Sequence, residues 1–298
     1  MLSILIPTYN YNTFPLVKEL HNQISLENID FEIIVSDDAS TDSAIIKENE
    51  KIVGLSNCYY LSNVENLGRG SNRNKLCQKA RCEWLLLLDC DTMPDSSSFI
   101  KNYLDCINSN NGAVFFGGIA YYDNKPLGEE ILRWTYGRKR EAIPLLTRQK
   151  KTYETALVSN ILLKKQILLK YPFNPSIYEY GFEDFVFISD LKKNGIPIIH
   201  IENPAYHLNL ETSIVFLSKH LSAIDNLNSL IIQGIIKSNE TALGKTHETI
   251  KRLMLQRIVV LFFNLSKQQL RQNLLSKNPS LVLFDFYKLG YFCSIKNL

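Results

Sequence analysis

The sequence predicts an α/β protein, with a parallel sheet covered by helices and a helical C-terminal region. Three observations carry this. The run Trp84-Leu85-Leu86-Leu87-Leu88 is five consecutive apolar residues bounded by polar ones, the pattern of a strand buried on both faces. Short apolar runs of the same kind recur along the first two thirds of the chain and mostly alternate with helical periodicity. Beyond Glu211 strand signals stop and helical spacing takes over.

Taken in order, Leu2 to Ile6 reads as a first strand closed by Pro7-Thr8-Tyr9-Asn10, with a helix over Thr13 to Ile24. Phe31 to Ser36 repeats the pattern and ends in Asp37-Asp38. Asp42 is placed to cap the helix that follows, whereas Asp38 has no obvious structural task there. Such a carboxylate suits the imide N–H of uracil or a ribose hydroxyl. Asn57 to Ser62 is a third strand, Asn63 to Gly68 a turn, and Arg69 to Arg81 a basic helix. Its amino end attracts anions through free N–H groups. Arg73 is the residue there suited to a carboxylate or phosphate at the sheet edge, and Lys75 reads as solvated.

The central strand then ends in Asp89-Cys90-Asp91. In open α/β sheets ligands bind beyond the carboxyl ends of strands. Two carboxylates two residues apart face the same way on an extended chain, and such a pair suits Mg²⁺ or Mn²⁺ completed by substrate phosphates. The same pair serves equally as a turn or a helix cap.

Ser96 to Ser109 reads as a helix, Ala113 to Gly118 as a buried strand, and Tyr121 to Arg140 as an aperiodic connection. Within it Arg133-Trp134-Thr135-Tyr136-Gly137-Arg138-Lys139-Arg140 mixes four basic residues with two large aromatics, the makings of a mobile lid or of a plain exposed loop. Thr155 to Leu163 returns to strand character, with Ser159-Asn160 polar in its middle. Asn160 and Trp134 are the candidates for acceptor or sugar contact. Glu183 and Asp184 open a helix that Gly195 ends, where acids also complement the helix dipole. Ile196 to Ile201 is a last strand before Asn203-Pro204-Ala205-Tyr206-His207. Helices are expected over Ser213 to Lys237, Lys245 to Leu265, Lys267 to Leu275 and Pro279 to Phe292.

Composition narrows the class. With 45% hydrophobic and 21% charged residues the chain is an ordinary folded protein, which excludes global disorder. The six cysteines form no Cys-x-x-Cys pair, which argues against a zinc or thioredoxin-like site and fits reduced thiols in the cytoplasm. No basic segment precedes the first apolar run, and no stretch reaches the ~20 apolar residues of a membrane span. The stretch from Glu211 on holds 11 Lys/Arg against 5 Asp/Glu, so it is the basic part of the chain. Its apolar run from Leu253 to Phe263 fits packing within the protein or a dimer contact first, and peripheral membrane contact second.

The motifs together, Ser3 to Asn10, Phe31 to Asp42, Asn66-Leu67-Gly68-Arg69-Gly70-Ser71-Asn72-Arg73-Asn74 and Leu88-Asp89-Cys90-Asp91, resemble those of family 2 glycosyltransferases. The resemblance is close to about residue 118, looser to about 208, and absent from Glu211 on. It implies a GT-A (nucleotide-diphospho-sugar transferase) fold, a mixed, mostly parallel sheet flanked by helices. Residues 1–118 would form the nucleotide-sugar-binding half of a catalytic domain spanning 1–210, with 119–210 the acceptor-binding half and 211–298 an added helical region. By the same resemblance Pro7, Thr8 and Tyr9 border the base, Asp38 binds it, and Arg73 and Asp89 hold the nucleotide region. Asp91, with Asp89 and His207, would ligate Mn²⁺ or Mg²⁺. Gly181-Phe182-Glu183-Asp184 is similar to the Gly-x-Glu-Asp segment of inverting members, which makes Asp184 the base and Glu183 its understudy.

The implied activity is a metal-dependent inverting transfer of a hexosyl or N-acetylhexosaminyl group from a nucleoside diphosphate donor, with uridine the expected base. The acceptor would be a glycan or lipid-linked glycan of polysaccharide biosynthesis, made in the cytoplasm or at the inner face of the membrane. Nucleic acid is not an expected partner. A non-catalytic sugar-nucleotide or glycan-binding subunit is the alternative. A sugar nucleotidyltransferase is disfavoured because no Gly-rich triphosphate loop follows the first strand.

Overall fold

The structure is a computed structural model that describes residues 1–109 and 111–296, so the last two residues of the expected helical region lie outside the described residues. The chain begins β1 (Leu2–Thr8), α1 (Phe14–Ile24), β2 (Phe31–Asp37), α2 (Ser43–Glu50), β3 (Cys58–Ser62), α3 (Arg69–Lys79), β4 (Trp84–Leu88) and β5 (Thr92–Pro94). It continues with α4 (Phe99–Ser109), β6 (Val114–Phe116), β7 (Ile119–Ala120), α5 (Ile131–Tyr136), α6 (Leu145–Lys150), β8 (Asn160–Lys164) and α7 (Lys165–Lys170). Then come α8 (Glu183–Lys193), β9 (Ile199–His200) and β10 (Ala205–His207), and four helices, α9 (Ser213–Ile232), α10 (Ala242–Arg252), α11 (Gln256–Leu274) and α12 (Leu281–Ile295).

Two compact units result. The first comprises residues 1–122, 140–178 and 183–209. Its seven-stranded sheet has the order β3-β2-β1-β4-β8-β6-β9, parallel throughout except that β8 runs antiparallel to both neighbours. A smaller sheet, β5-β10-β7, takes its first strand from just after the central strand in sequence and holds His207 in β10. Every residue of β4 is buried, as five successive apolar side chains require, and Ile4, Ile33 and Leu86 from adjacent strands share a core with Leu16, Leu20, Phe99 and Tyr103 from the covering helices. Asp42 caps α2 as expected, its Oδ1 accepting from the backbone N–H of Ala44 and Ile45.

The second unit is woven from three segments, residues 123–139, 179–182 and 210–298. Leu132 of α5, Phe216 and Leu217 of α9, Phe263 and Leu270 of α11 and Phe284 and Tyr287 of α12 form its core. The connection expected to be aperiodic, as a lid or a plain exposed loop, is helical in its second half: α5 leads into a π-helical turn over Gly137–Glu141. Arg133 is buried with its guanidinium 5.2 Å from the Phe216 ring centre, an anchoring that a loop free to open would not have. The helix expected over Lys245 to Leu265 is divided, with Met254 in the left-handed region at φ +58° between α10 and α11. The break expected near Ser266 is absent: α11 is continuous there, and the Ser266 hydroxyl donates back to the Phe262 carbonyl (2.7 Å).

Residues 181 and 182 are both left-handed, Gly181 at φ +95° and Phe182 at φ +72°. A Cβ on residue 181 would approach the Ala223 Cβ to 2.8 Å, so glycine is required there. Phe182, with a bulky side chain, stores strain that neighbouring structure has to hold. Asn226 of α9 does so, donating to the carbonyls of Gly181 (2.7 Å) and Glu179 (3.3 Å).

Candidate active site

The site of the first unit gathers at the carboxyl ends of β1, β2 and β4. Its centre is Arg73, on α3 and almost wholly buried. The guanidinium donates to Asp89 Oδ1 (Nη2, 2.8 Å) and to Asp184 Oδ1 (Nη1, 3.1 Å), joining the end of the central strand to the first turn of α8. Burial by itself would lower the guanidinium's pKa, but Asp184, Asp89 and Glu183 raise it, so the charge is held. Arg73 also lies 5.4 Å from the Phe173 ring centre, and its Nε is buried without a hydrogen bond.

The two acids of α8 differ in environment. Glu183 is buried, 3.9 Å from Arg69. Asp184 keeps 31% of its side chain exposed and is the more accessible of the pair. Its pKa is pushed up to about 6: burial is the largest cause, Arg73 opposes it, and Glu183 and Asp89 add to it. At Asp89, burial also pushes upward, but Arg73 and Arg69 win and hold that carboxyl below the usual range. One arginine therefore divides two carboxylates into one fixed anion and one proton acceptor poised near neutrality.

Asp89 and Asp91 take different partners. The strand ends at Leu88, and Asp89 to Thr92 form a tight turn closed by Thr92 N–H to the Asp89 carbonyl (3.2 Å) and Thr92 Oγ1 to the same oxygen (2.8 Å). The two-residue alternation of a strand does not apply across such a turn. Asp89 turns to Arg73, and Asp91 Oδ2 lies 3.5 Å from His207 Nε2. Backbone pairing fixes that approach, since Leu208 N–H donates to the Asp91 carbonyl (2.8 Å) and His207 pairs with Thr92 across β5 and β10. An oxygen and an imidazole nitrogen this close are chemically suited to share a divalent cation. Among the described residues no group of three or more His, Cys, Asp or Glu converges on a metal position, and Asp91 with His207 supplies two donors. Sequence reasoning missed two neighbours of this pair. The Tyr121 ring stacks on His207 (5.5 Å, 18°), and Tyr11 has its hydroxyl pKa raised to about 12 by burial, with Asp91 adding to it.

The nucleotide side is built by loops tied across the sheet. Thr8 ends β1 with its hydroxyl accepting from Thr13 Oγ1 (3.0 Å), Pro7 precedes it, and Tyr9 is half exposed at the rim. Asn10, left-handed at φ +49°, accepts from Thr41 and Asp42 N–H, linking the first two loops. Asp38 has a structural task after all: its buried carboxylate accepts from Leu67 N–H (2.8 Å), Gly68 N–H (3.0 Å) and Asn63 Nδ2 (2.7 Å). It thereby sets the turn at Gly68, whose φ of +81° starts α3 and aims Arg73. Asn63 and Asn72 complete this network, and Lys75 donates to Asn63 rather than standing in solvent. Asparagines spread over separate loops carry no local pattern that would have marked them.

Asn160 is corrected. It is fully buried, with Oδ1 accepting from Tyr103 Oη (2.7 Å) and Nδ2 donating to the carbonyls of Gly118 (2.8 Å) and Asn203 (2.9 Å). It is a tie inside the first unit and has no polar group left for an acceptor. Trp134 belongs to the second unit, where Arg138 covers its ring at 5.2 Å.

Comparison with known proteins fits this arrangement. The model of Glycosyl transferase family 2 matches residues 3–165, more than half of the chain. An uncharacterized glycosyltransferase of Haemophilus influenzae is 25% identical over 242 residues, 80% of this chain and 92% of its own. The mannosyltransferase PcManGT of Pyrobaculum calidifontis, solved with GDP-Man and Mn²⁺, superposes with a TM-score of 0.51 at 16% identity, over 77% of this chain and 64% of its own. S. aureus TarS 1-349 gives a TM-score of 0.50 at 19% identity over 100% of this chain and 92% of its own, while against the longer TarS chain the match spans only 43% of that protein. At these identities the superpositions speak for the GT-A fold alone. The chain belongs to the family 2 glycosyltransferases.

Proposed function

We propose that the protein is a metal-dependent inverting glycosyltransferase that moves a hexosyl or N-acetylhexosaminyl group from a nucleoside diphosphate donor, with uridine as the base, to a glycan or lipid-linked glycan. The observation that carries this reading is the Asp89–Arg73–Asp184 junction, which holds one carboxylate anionic and leaves the other near pKa 6 and accessible. Residues 1–118 take the donor and 119–210 the acceptor. Pro7, Thr8 and Tyr9 border the base, and the loop that Asp38 fixes frames it.

Asp91 and His207 are the residues that would hold Mn²⁺ or Mg²⁺, with Asp89 anchored beside them. When bound, the cation neutralises charge on the departing diphosphate. That PcManGT was solved with a nucleotide sugar and Mn²⁺ agrees with this chemistry. Asp184 takes the proton of the acceptor hydroxyl as its oxygen attacks the anomeric carbon. The new carbon–oxygen bond forms as the bond to the diphosphate oxygen breaks, the leaving group departs with the electron pair, and a single displacement inverts the anomer. Glu183, buried beside Arg69, supports Asp184 by raising its basicity.

The test is binding and hydrolysis of a panel of nucleotide sugars, with Mn²⁺ and with chelator, by the intact protein and by Asp91→Asn. Metal-dependent binding of one donor that the variant loses is the expected result. If no donor binds under either condition, the reading falls and a non-catalytic glycan-binding subunit takes its place.

A further inference from the structure

In the second unit, α11 carries two apolar faces. One holds Phe263, Leu270 and Leu274 and is buried in that unit's core. On the opposite side, Leu255, Ile258, Leu261, Phe262 and Leu265 recur at helical spacing, and each is between 40 and 69% exposed. Met254, 88% exposed in the left-handed break before the helix, extends the stripe. Six large apolar side chains in contiguous solvent-facing positions exceed the scattered exposure expected of any protein surface.

The charge around the stripe identifies what covers it. From Thr249 to Phe284 there are six Lys/Arg and no Asp or Glu. Lys251, Arg252 and Arg257 flank the stripe's start, and Lys267 follows its end; all four are exposed. A second copy of this chain meeting the stripe across a two-fold axis would bring the same basic rim, in which Glu248 beside Arg252 is a lone acid among Lys245, Lys251, Arg252, Arg257 and Lys267, against itself. An anionic bilayer surface offers apolar depth and negative charge together. Among the described residues no helix is long and apolar enough to cross a membrane, so α11 would lie in the plane of the interface.

We infer that the exposed face of α11 is a docking surface for an anionic phospholipid bilayer, with Met254 to Leu265 entering the headgroup boundary and the basic rim meeting the lipid phosphates. Each basic residue near such a surface strengthens binding by about fivefold at low salt. The inference stands independently of the transferase reading, because it is measured without donor or acceptor.

The experiment is co-sedimentation of the full chain with vesicles of phosphatidylcholine alone and of phosphatidylcholine with phosphatidylglycerol, at low and high salt. It is repeated with Leu261→Glu/Phe262→Glu and with Arg257→Glu/Lys267→Glu, both on solvent-facing positions. We expect the wild type to bind the anionic vesicles preferentially, salt to weaken binding, and each double variant to bind at least tenfold more weakly with an unchanged thermal midpoint. Wild type that stays in the supernatant, or double variants that bind equally well, would overturn the inference. Sedimentation velocity separates the rival: a wild-type dimer that Leu261→Glu/Phe262→Glu converts to monomer, without vesicle binding, assigns the stripe to a second copy instead.

Discussion

Replacing Arg73 by Met keeps the length and the apolar stem of the side chain while removing the charge that holds Asp89 and Asp184. Removing one partner of a buried ion pair costs about 3–5 kcal/mol, because the remaining charge is left uncompensated. Here the guanidinium is 3% exposed but its partners are 26 and 31% exposed, and solvent screening reduces the loss to about 2–4 kcal/mol. For a folding unit of this size that is a fall of roughly 5–15 °C in the thermal midpoint at pH 8. The pH dependence makes the test specific. In the variant, Asp89 and Asp184 lose the cation that both touch and keep only the weaker pull of Arg69, so the folded-state pKa of Asp184 rises further above its unfolded value and that of Asp89 rises with it. The native state then binds more protons than the unfolded state, and the variant's stability falls as pH rises through that range. The deficit against wild type should be largest at pH 8 and shrink toward pH 5 as the carboxylates take protons. Thermal melts from pH 5 to 8 measure it, and a deficit that is absent, or constant with pH, would refute the idea that Arg73 works by neutralising this cluster.

Further outcomes follow from the same geometry. Transfer should climb about tenfold per pH unit below about 6 and level off above it, because Asp184 must be unprotonated to accept the acceptor's proton; a profile flat from pH 5 to 8 would remove it as base. Asp184→Asn should retain donor binding and lose about 10²–10⁴-fold in rate, and a variant with full activity would assign proton transfer elsewhere. Asn160→Ala should lose about 1–3 kcal/mol in chemical denaturation, since it removes three buried hydrogen bonds; unchanged stability with a raised acceptor KM would return Asn160 to the acceptor site. Gly68→Ala should destabilise by about 1–3 kcal/mol through its φ of +81°, and wild-type stability would show that the turn relaxes without glycine.

Elements set by local pattern were legible in the sequence, and those set by distant partners were not. The buried strand β4 announces itself as an unbroken apolar run, β1 and β2 as runs in which a single polar residue, Ser3 or Glu32, interrupts the apolar ones, and Asp42 declares its cap two and three residues before the N–H groups it binds. By contrast, Asp38 receives its hydrogen bonds from residues 25 to 30 positions away, and Arg73 meets Asp184 across 111. No periodicity reports such pairings. The different partners of Asp89 and Asp91 escaped because the alternation argument presumes a strand where the chain has already turned. Asn160 misled for a related reason: a polar residue in an apolar strand can face a ligand or satisfy buried carbonyls, and only the fold shows which. The connection around Trp134 looked unstructured because its short helix draws its stability from aromatic packing within the second unit.

The threading of the second unit also gives the molecule a timetable. Segments 123–139 and 179–182 leave the ribosome well before the helices they pack with, and the left-handed turn at Gly181 and Phe182 gains the Asn226 hydrogen bonds only when α9 emerges. At about 5–20 residues per second, the described chain beyond that turn takes roughly 6–23 s to be made, long enough for the parallel sheet of the first unit to begin folding. The strained peptide that leads directly into Glu183 and Asp184 is therefore set late in synthesis, after the strands that frame the nucleotide loops. A chain stopped before α9 would lack the two hydrogen bonds that Asn226 gives to the carbonyls of Glu179 and Gly181, so the turn would meet its strain without them.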